Sequence, residues 1–308
     1  MKGELSMKLT TKEIVFLAKY FDKISPISLF ASISETLEGT EENSLTEKCI
    51  LKNGELTVRA KEILEIIADA KKCTRLILRD SFFVVEKYTY KVNDKIVLSE
   101  NDGGDFLFSM PDKFEATLSE LSQFVGKSKI KSANIETLLT AQEMLTLLAI
   151  VDIYRKNALL EYVGQGVLKE AIPFIEITKQ LLTPSKNSLL QMISNNYKYA
   201  IPPAENIVDI LDGLIKKKCL LFDSGYTLIG EYAIFAKSFL IPETVAMVET
   251  FSLGEHNEIM VSGVLCVCAG IRDIICFIFD KEEIEITSLS SSQMLQLIEN
   301  FLKCPDIR

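Results

Sequence analysis

A short stretch, Lys48 to Leu56 (Lys-Cys-Ile-Leu-Lys-Asn-Gly-Glu-Leu), returns in altered form at Lys218 to Leu228 as Lys-Cys-Leu-Leu-Phe-Asp-Ser-Gly-Tyr-Thr-Leu. A segment that recurs with its neighbours in the same order points to a fold assembled from two similar units. Three further matches keep the order. Leu9-Thr10-Thr11-Lys12-Glu13 matches Leu139-Thr140-Ala141-Gln142-Glu143 at an offset of 130 residues. Cys49 matches Cys219 at 170, and Ile96 to Ser109 matches Ile274 to Thr287 at 178, pairing Asp102 with Asp280, Phe106 with Ile284 and Phe108 with Ile286. Leu118, Leu121 and Phe124 match Leu295, Ile298 and Phe301 at 177. The growing offset places about 40 extra residues in the second copy, between about Ile150 and Asn206.

The basic and polar run Gly126-Lys127-Ser128-Lys129-Ile130-Lys131-Ser132 sits where the copies should join. The expected division is therefore 1–130 as a first α+β repeat and 131–308 as a second, with a helical insert at about 150–206. A chain of 308 residues that is 48% hydrophobic has enough apolar material for two cores.

Helical spacing of Ile14, Leu17, Ala18 and Phe21 predicts a helix over Leu9 to Phe21, with Thr10 or Thr11 as N-cap. A short helical segment follows at Ile27 to Ile33, then a polar loop from Glu35 to Asn43, a helix start at Ser44 and a tight turn at Asn53-Gly54. A helix over Thr57 to Lys71 completes a series that has the order of a winged-helix module. In the second copy, Ile207, Ile210, Leu211 and Leu214 form the helical stripe, and Asp223-Ser224-Gly225 turns a wing-like hairpin. The insert reads as helices at Tyr154 to Val163, Ala171 to Leu182 and Ser188 to Ser194, stopped by Pro202-Pro203.

Each copy then turns to strands. Arg75 to Leu78, Phe82 to Tyr90, Lys95 to Ser99 and Asp105 to Met110 form an antiparallel meander, closed by a helix at Glu115 to Val125. Their counterparts are Val245 to Phe251, Glu258 to Ala269, Ile274 to Phe279 and Glu283 to Thr287, with a helix at Ser292 to Leu302. The apolar run Ile259 to Phe279 carries Arg272 and Asp273 after Ala269-Gly270, so it reads as two buried strands and a hairpin, with no membrane span. The fold class expected is α+β, internally duplicated.

Composition narrows the chemistry. The seven cysteines, with no secretory signal behind Met1 to Ser6, read as reduced thiols in a cytoplasmic protein. A net charge of −9 disfavours nucleic acid as a partner, since phosphate binding needs clustered Lys and Arg. His256 is the sole histidine and lies in a polar loop, which removes most acid-base schemes. Cys266, Cys268 and Cys276 read as core and lack the spacing of a metal site. Gly164-Gln165-Gly166 reads as an interhelical turn, and Asn101-Asp102-Gly103-Gly104-Asp105 as a hairpin turn too short for a calcium loop. The sequence calls for no cofactor, metal or catalytic group. The one candidate nucleic-acid contact is Lys216, Lys217 and Lys218 at a helix end, where a first-copy acid, Glu47, stands beside Lys48.

Two halves, each with a helix, a hairpin module, a helix, a meander and a closing helix, resemble the EspG-type chaperones of type VII secretion systems. The resemblance implies a pseudo-two-fold α+β fold and a cytosolic, non-enzymatic protein that grips the helical tip of a secreted PE-PPE pair. The helical insert and a composition rich in Lys, Ile and Asn depart from that pattern, and the resemblance carries over no site residue. A non-catalytic protein-binding module, a chaperone or adaptor for a helical or extended partner segment, is the function expected. The alternative is a winged-helix DNA-binding regulator acting through Lys216, Lys217 and Lys218.

Overall fold

A computed structural model describes residues 6–186, 188–269, 273–279 and 283–306. The fold is α+β with antiparallel strands. Elements follow in the order β1 (Ser6–Thr10), α1 (Thr11–Leu17), α2 (Leu29–Ser32), α3 (Glu41–Glu47), β2 (Leu51–Lys52), β3 (Glu55–Leu56), α4 (Val58–Ala68), β4 (Lys72–Arg79), β5 (Val84–Val92), β6 (Lys95–Asp102), β7 (Asp105–Ser109) and α5 (Glu115–Val125). Then come β8 (Glu136–Thr140), α6 (Ala141–Tyr162), α7 (Phe174–Leu182), α8 (Leu189–Tyr197), α9 (Ile207–Lys216), β9 (Leu220–Phe222), β10 (Tyr226–Leu228), α10 (Gly230–Ser238), β11 (Thr244–Leu253), β12 (Ile259–Ala269), β13 (Asp273–Phe279), β14 (Glu283–Leu289) and α11 (Ser291–Leu302).

Two compact units interleave along the chain. One takes Met1–Phe124, Ala246–Val264 and Leu295–Arg308; the other takes Val125–Val245 and Leu265–Met294. In the first unit the strand order is β1-β7-β6-β5-β4-β11, followed by the N-terminal part of β12. Its core joins Leu9, Ile14 and Leu17 to Leu45, Ile63, Leu64, Ile67, Tyr90, Val97 and Phe108. Each large aliphatic side chain so buried contributes about 1.5–3 kcal/mol. In the second unit the order is the C-terminal part of β12, then β13-β14-β8.

Structure and expectation differ at several places. Leu9 and Thr10 belong to β1, which pairs antiparallel with β7 (Thr10 opposite Asp105), and the helix begins only at Thr11. The Thr10 side chain accepts from Glu13 N–H while Glu13 Oε2 accepts from Thr10 N–H at 2.7 Å, a reciprocal cap that fixes this start. Leu139 and Thr140 behave alike in β8, with Thr140 opposite Glu283 and capped reciprocally by Glu143. Helix α3 opens at Glu41, inside the stretch read as a loop, because the Glu41 carboxylate accepts from the amides of Glu38 and Gly39 and closes the preceding turn. The helix read over Tyr154 to Val163 is the end of a longer one, α6, which runs unbroken from Ala141 to Tyr162. Every residue from Glu143 to Tyr154 is buried, so the polar face that would have revealed one long helix is missing. Of the apolar run Ile259 to Phe279, the described parts are β12 and β13; the proposed turn at Gly270 and Arg272, like the Asp102–Asp280 match, involves residues outside those described.

The cysteine match also shifts. Cys49 has φ 57° and is exposed; the residue with the same left-handed backbone in the later segment is Lys218, at φ 59°. Ile50 N–H donates to Leu45 O and Cys219 N–H to Leu214 O, both at 2.9 Å, so the buried Cys219 occupies the place of the buried Ile50. The helix-ending backbone bonds therefore align at an offset of 169, one residue less than the shared Lys-Cys letters suggest.

Candidate functional site

In the second unit, the end of α6 and helix α7 carry several exposed apolar side chains, among them Leu159, Val163, Ile175 and Leu182. On α7, Ile177 and Leu181 lie four residues apart and are buried, while Ile175 and Leu182 on the same helix stay 70% and 60% exposed. On α8, Leu189, Leu190 and Ile193 are buried, and Ser188 caps the helix by accepting from Gln191 N–H. The chain just before α7 is fastened to the β9–β10 hairpin: Ile172 N–H donates to Tyr226 O, and Tyr226 N–H to Ile172 O, both at 2.9 Å. Gly225 permits that approach, since a Cβ there would lie 3.0 Å from Ile172 O.

Between the end of α6 and the α7–α8 segment lies an open groove of about 360 Å³, lined by Leu159, Leu160 and Val163 with Lys156, Gln180 and Lys186. Its inner end is built by Asp152. This buried carboxylate accepts from the amides of Leu189 and Leu190 at 3.0 Å each and from Arg155 Nη1 at 2.6 Å. Burial pushes its carboxyl above the ordinary aspartate value against the pull of those donors. Arg155 also donates from Nε and Nη2 to Leu240 O, so both charges are engaged inside the fold. A volume of this size at an apolar helix face admits a few partner side chains.

A larger concavity in the first unit, about 1030 Å³, is of a different kind. Its walls carry Lys61, Glu62, Glu65, Asp69, Asp94 and Lys95, with ion pairs Lys95–Glu62 and Lys61–Glu65, and they form a solvated charged surface.

The residues singled out in the sequence fall as follows. Lys217 Nζ donates to Glu143 Oε2 at 2.7 Å and to Leu138 O at 2.9 Å, so it braces the α6 start and edge strand β8; Lys216 and Lys218 are exposed beside it. His256 is exposed, with its backbone N–H on Glu258. Cys266, Cys268 and Cys276 are buried; a hydrogen bond with Cys276, reinforced by burial, pushes the Cys266 thiol far up, and burial raises Cys268 to about 12. Gly164 closes α6 with φ 70°, and Gly104 N–H donates to Asn101 Oδ1 in the β6–β7 turn. Among the described residues, no three His, Cys, Asp or Glu side chains are grouped to hold a metal ion, and no helix is long and apolar enough to cross a membrane. The groove itself was missed in the sequence; its only trace there is the spacing of Lys156, Leu159, Leu160 and Val163 on one helix face.

No family model matches the chain, and no curated protein matches it in sequence. Among solved structures it is similar to the Mycobacterium tuberculosis type VII secretion system chaperone EspG5, solved in complex with a PE25-PPE41 dimer. The likeness has a TM-score of 0.52 at 7% identity and covers 98% of both chains. It is a likeness of fold, and it runs the length of both proteins.

Proposed function

We propose that this chain is a non-catalytic, cytoplasmic protein-binding module that acts as a chaperone or adaptor. The observation that carries the reading is the fold likeness to EspG5 over 98% of each chain, since that protein was solved holding a protein dimer. On this reading the partner is a helical or extended protein segment, as the resemblance to the EspG type implies. The groove at the end of α6 suits such a contact, because its walls carry the exposed Leu159 and Val163, and apolar surface left in water commonly marks a binding face.

The test is capture from cells that express the protein naturally, comparing wild type with Val163→Asp. Val163 is 60% exposed, so the variant is expected to fold and melt as wild type does. A partner retained by wild type, lost by the variant, and made soluble by co-expression with wild type alone supports the reading. A protein that keeps every partner on Val163→Asp, or a captured nucleic acid, contradicts it.

A further inference from the structure

We propose that the groove beside the end of α6 receives an amphipathic helix whose apolar stripe is flanked by carboxylates. This rests on the protein-binding reading and names the partner's chemistry at that surface. Lys156, Leu159 and Leu160 stand at positions i, i+3 and i+4 of α6, Val163 follows at i+7 as its C-cap, and the four line one wall. That spacing presents a continuous stripe along the helix, the form that meets another helix through its own i, i+3, i+4, i+7 anchors.

The charge of the groove runs opposite to that of the chain. Asp152 and Arg155 neutralise one another and are saturated by internal bonds. Lys156 and Lys186 remain on the rim, exposed, and among the described residues neither has a carboxylate within salt-bridge distance. Two uncompensated cations thus frame an apolar floor on a protein of net charge −9.

Other occupants fit less well. The first amides of α8 are already taken, Leu189 and Leu190 by Asp152 and Gln191 by Ser188, so the helix start offers no cradle for a free anion. The lining residues come from helices and the turn between them, leaving no strand edge on which an extended peptide could pair. An apolar stripe meets the floor, and acids at its margins meet Lys156 and Lys186.

The experiment uses two fluorescent, stapled helical peptides with the same leucine stripe, one flanked by glutamates and one by lysines, titrated into the full chain. The glutamate peptide is expected to bind about tenfold more tightly than the lysine peptide at low salt, because complementary rim charge favours one partner and like charge disfavours the other. In the double variant Lys156→Glu, Lys186→Glu the preference should vanish or reverse, and in Val163→Asp both peptides should weaken. Equal binding of both peptides, still lost in Val163→Asp, would overturn the charge assignment and leave the protein-binding reading standing. Glutamate-peptide binding indifferent to Val163→Asp would place the helix elsewhere and overturn the proposal. Binding of neither peptide would overturn the proposal and the apolar surface together. Self-association of the wild type that the double variant abolishes would make a second copy the occupant, and that too overturns it.

Discussion

A Cβ atom placed on Gly213 would lie 2.9 Å from Oε1 of Glu143, in the space that Ser44 fills in the earlier segment by donating its hydroxyl to Glu13 Oε1 at 2.6 Å. Glu13 and Glu143 are both buried, both cap their own helix, and each accepts from a lysine at 2.7 Å, Lys48 and Lys217 respectively. One carboxylate is completed by a hydroxyl, the other by the absence of a side chain.

Gly213 sits inside helix α9, where replacement by alanine would ordinarily stabilise by roughly 1 kcal/mol. Here Gly213→Ala is expected to lower the melting temperature, because Glu143 cannot swing aside without releasing Thr140 N–H and Lys217. Ser44→Ala should cost about 1–2 kcal/mol by leaving a buried carboxylate oxygen short of a donor. Thermal melts of both variants check this, and a rise in melting temperature for Gly213→Ala would contradict it.

The pH dependence follows from Glu13. Burial alone would raise its carboxyl, but hydrogen bonds from Lys48, Ser44 and the Thr10 amide outweigh burial and hold it below the ordinary glutamate value of 4.5. The unfolded chain then binds more protons than the native one between those two values. The stabilisation is complete above the ordinary value and is lost as pH falls through the folded one. Urea unfolding of Glu13→Gln across acidic pH should show a shallower loss of stability on acidification than wild type. Identical slopes would count against this role.

Thiol reactivity should separate the seven cysteines cleanly. Cys49 is exposed, and the other six are buried, with the thiols of Cys73, Cys219, Cys266, Cys268 and Cys304 pushed above their usual value chiefly by burial or by a neighbouring thiol. A chromogenic disulfide reagent should label one thiol of the native protein rapidly and the rest only on unfolding. Rapid loss of that one equivalent in Cys49→Ser completes the check; fast labelling of several thiols in the native state would disagree.

Lys87 is a buried cation on β5 whose ammonium donates to Glu100 at 2.5 Å and Glu120 at 2.7 Å. Lys87→Met keeps the side-chain volume and leaves two facing carboxylates without their cation. Because both glutamates reach solvent, the expected loss is about 1–3 kcal/mol in a denaturant titration, smaller than for a fully enclosed pair. A neutral result would show that the triad adds nothing to stability.

Most of the strand and helix ladder was legible because its periods are clean. Helix α5 falls at Glu115–Val125 as the spacing of Leu118, Leu121 and Val125 requires, and β14 begins at Glu283 as expected. What escaped notice has physical causes. Strands β1 and β8 are five residues each, and polar residues in Ser6–Thr10 and Glu136–Thr140 dilute the alternation. Pairing Cys49 with Cys219 followed shared letters, whereas the left-handed backbone of the two segments falls at Cys49 and Lys218, a property the two share without chemical likeness. The groove depends on how α7 and α8 settle against α6, and nothing local to Leu159, Val163 or Lys186 announces that packing.

The most direct test of the central claim is site-specific photo-crosslinking in the native host, with a photoreactive residue at position 163 at the end of α6 or at position 58, where Val58 in the first unit is 86% exposed. The account expects a discrete crosslink to another protein from position 163 and none from position 58, and a reconstituted complex with that protein that dissociates when Val163→Asp is introduced. A crosslink from position 58 alone, or a reconstituted complex indifferent to Val163→Asp, would contradict it.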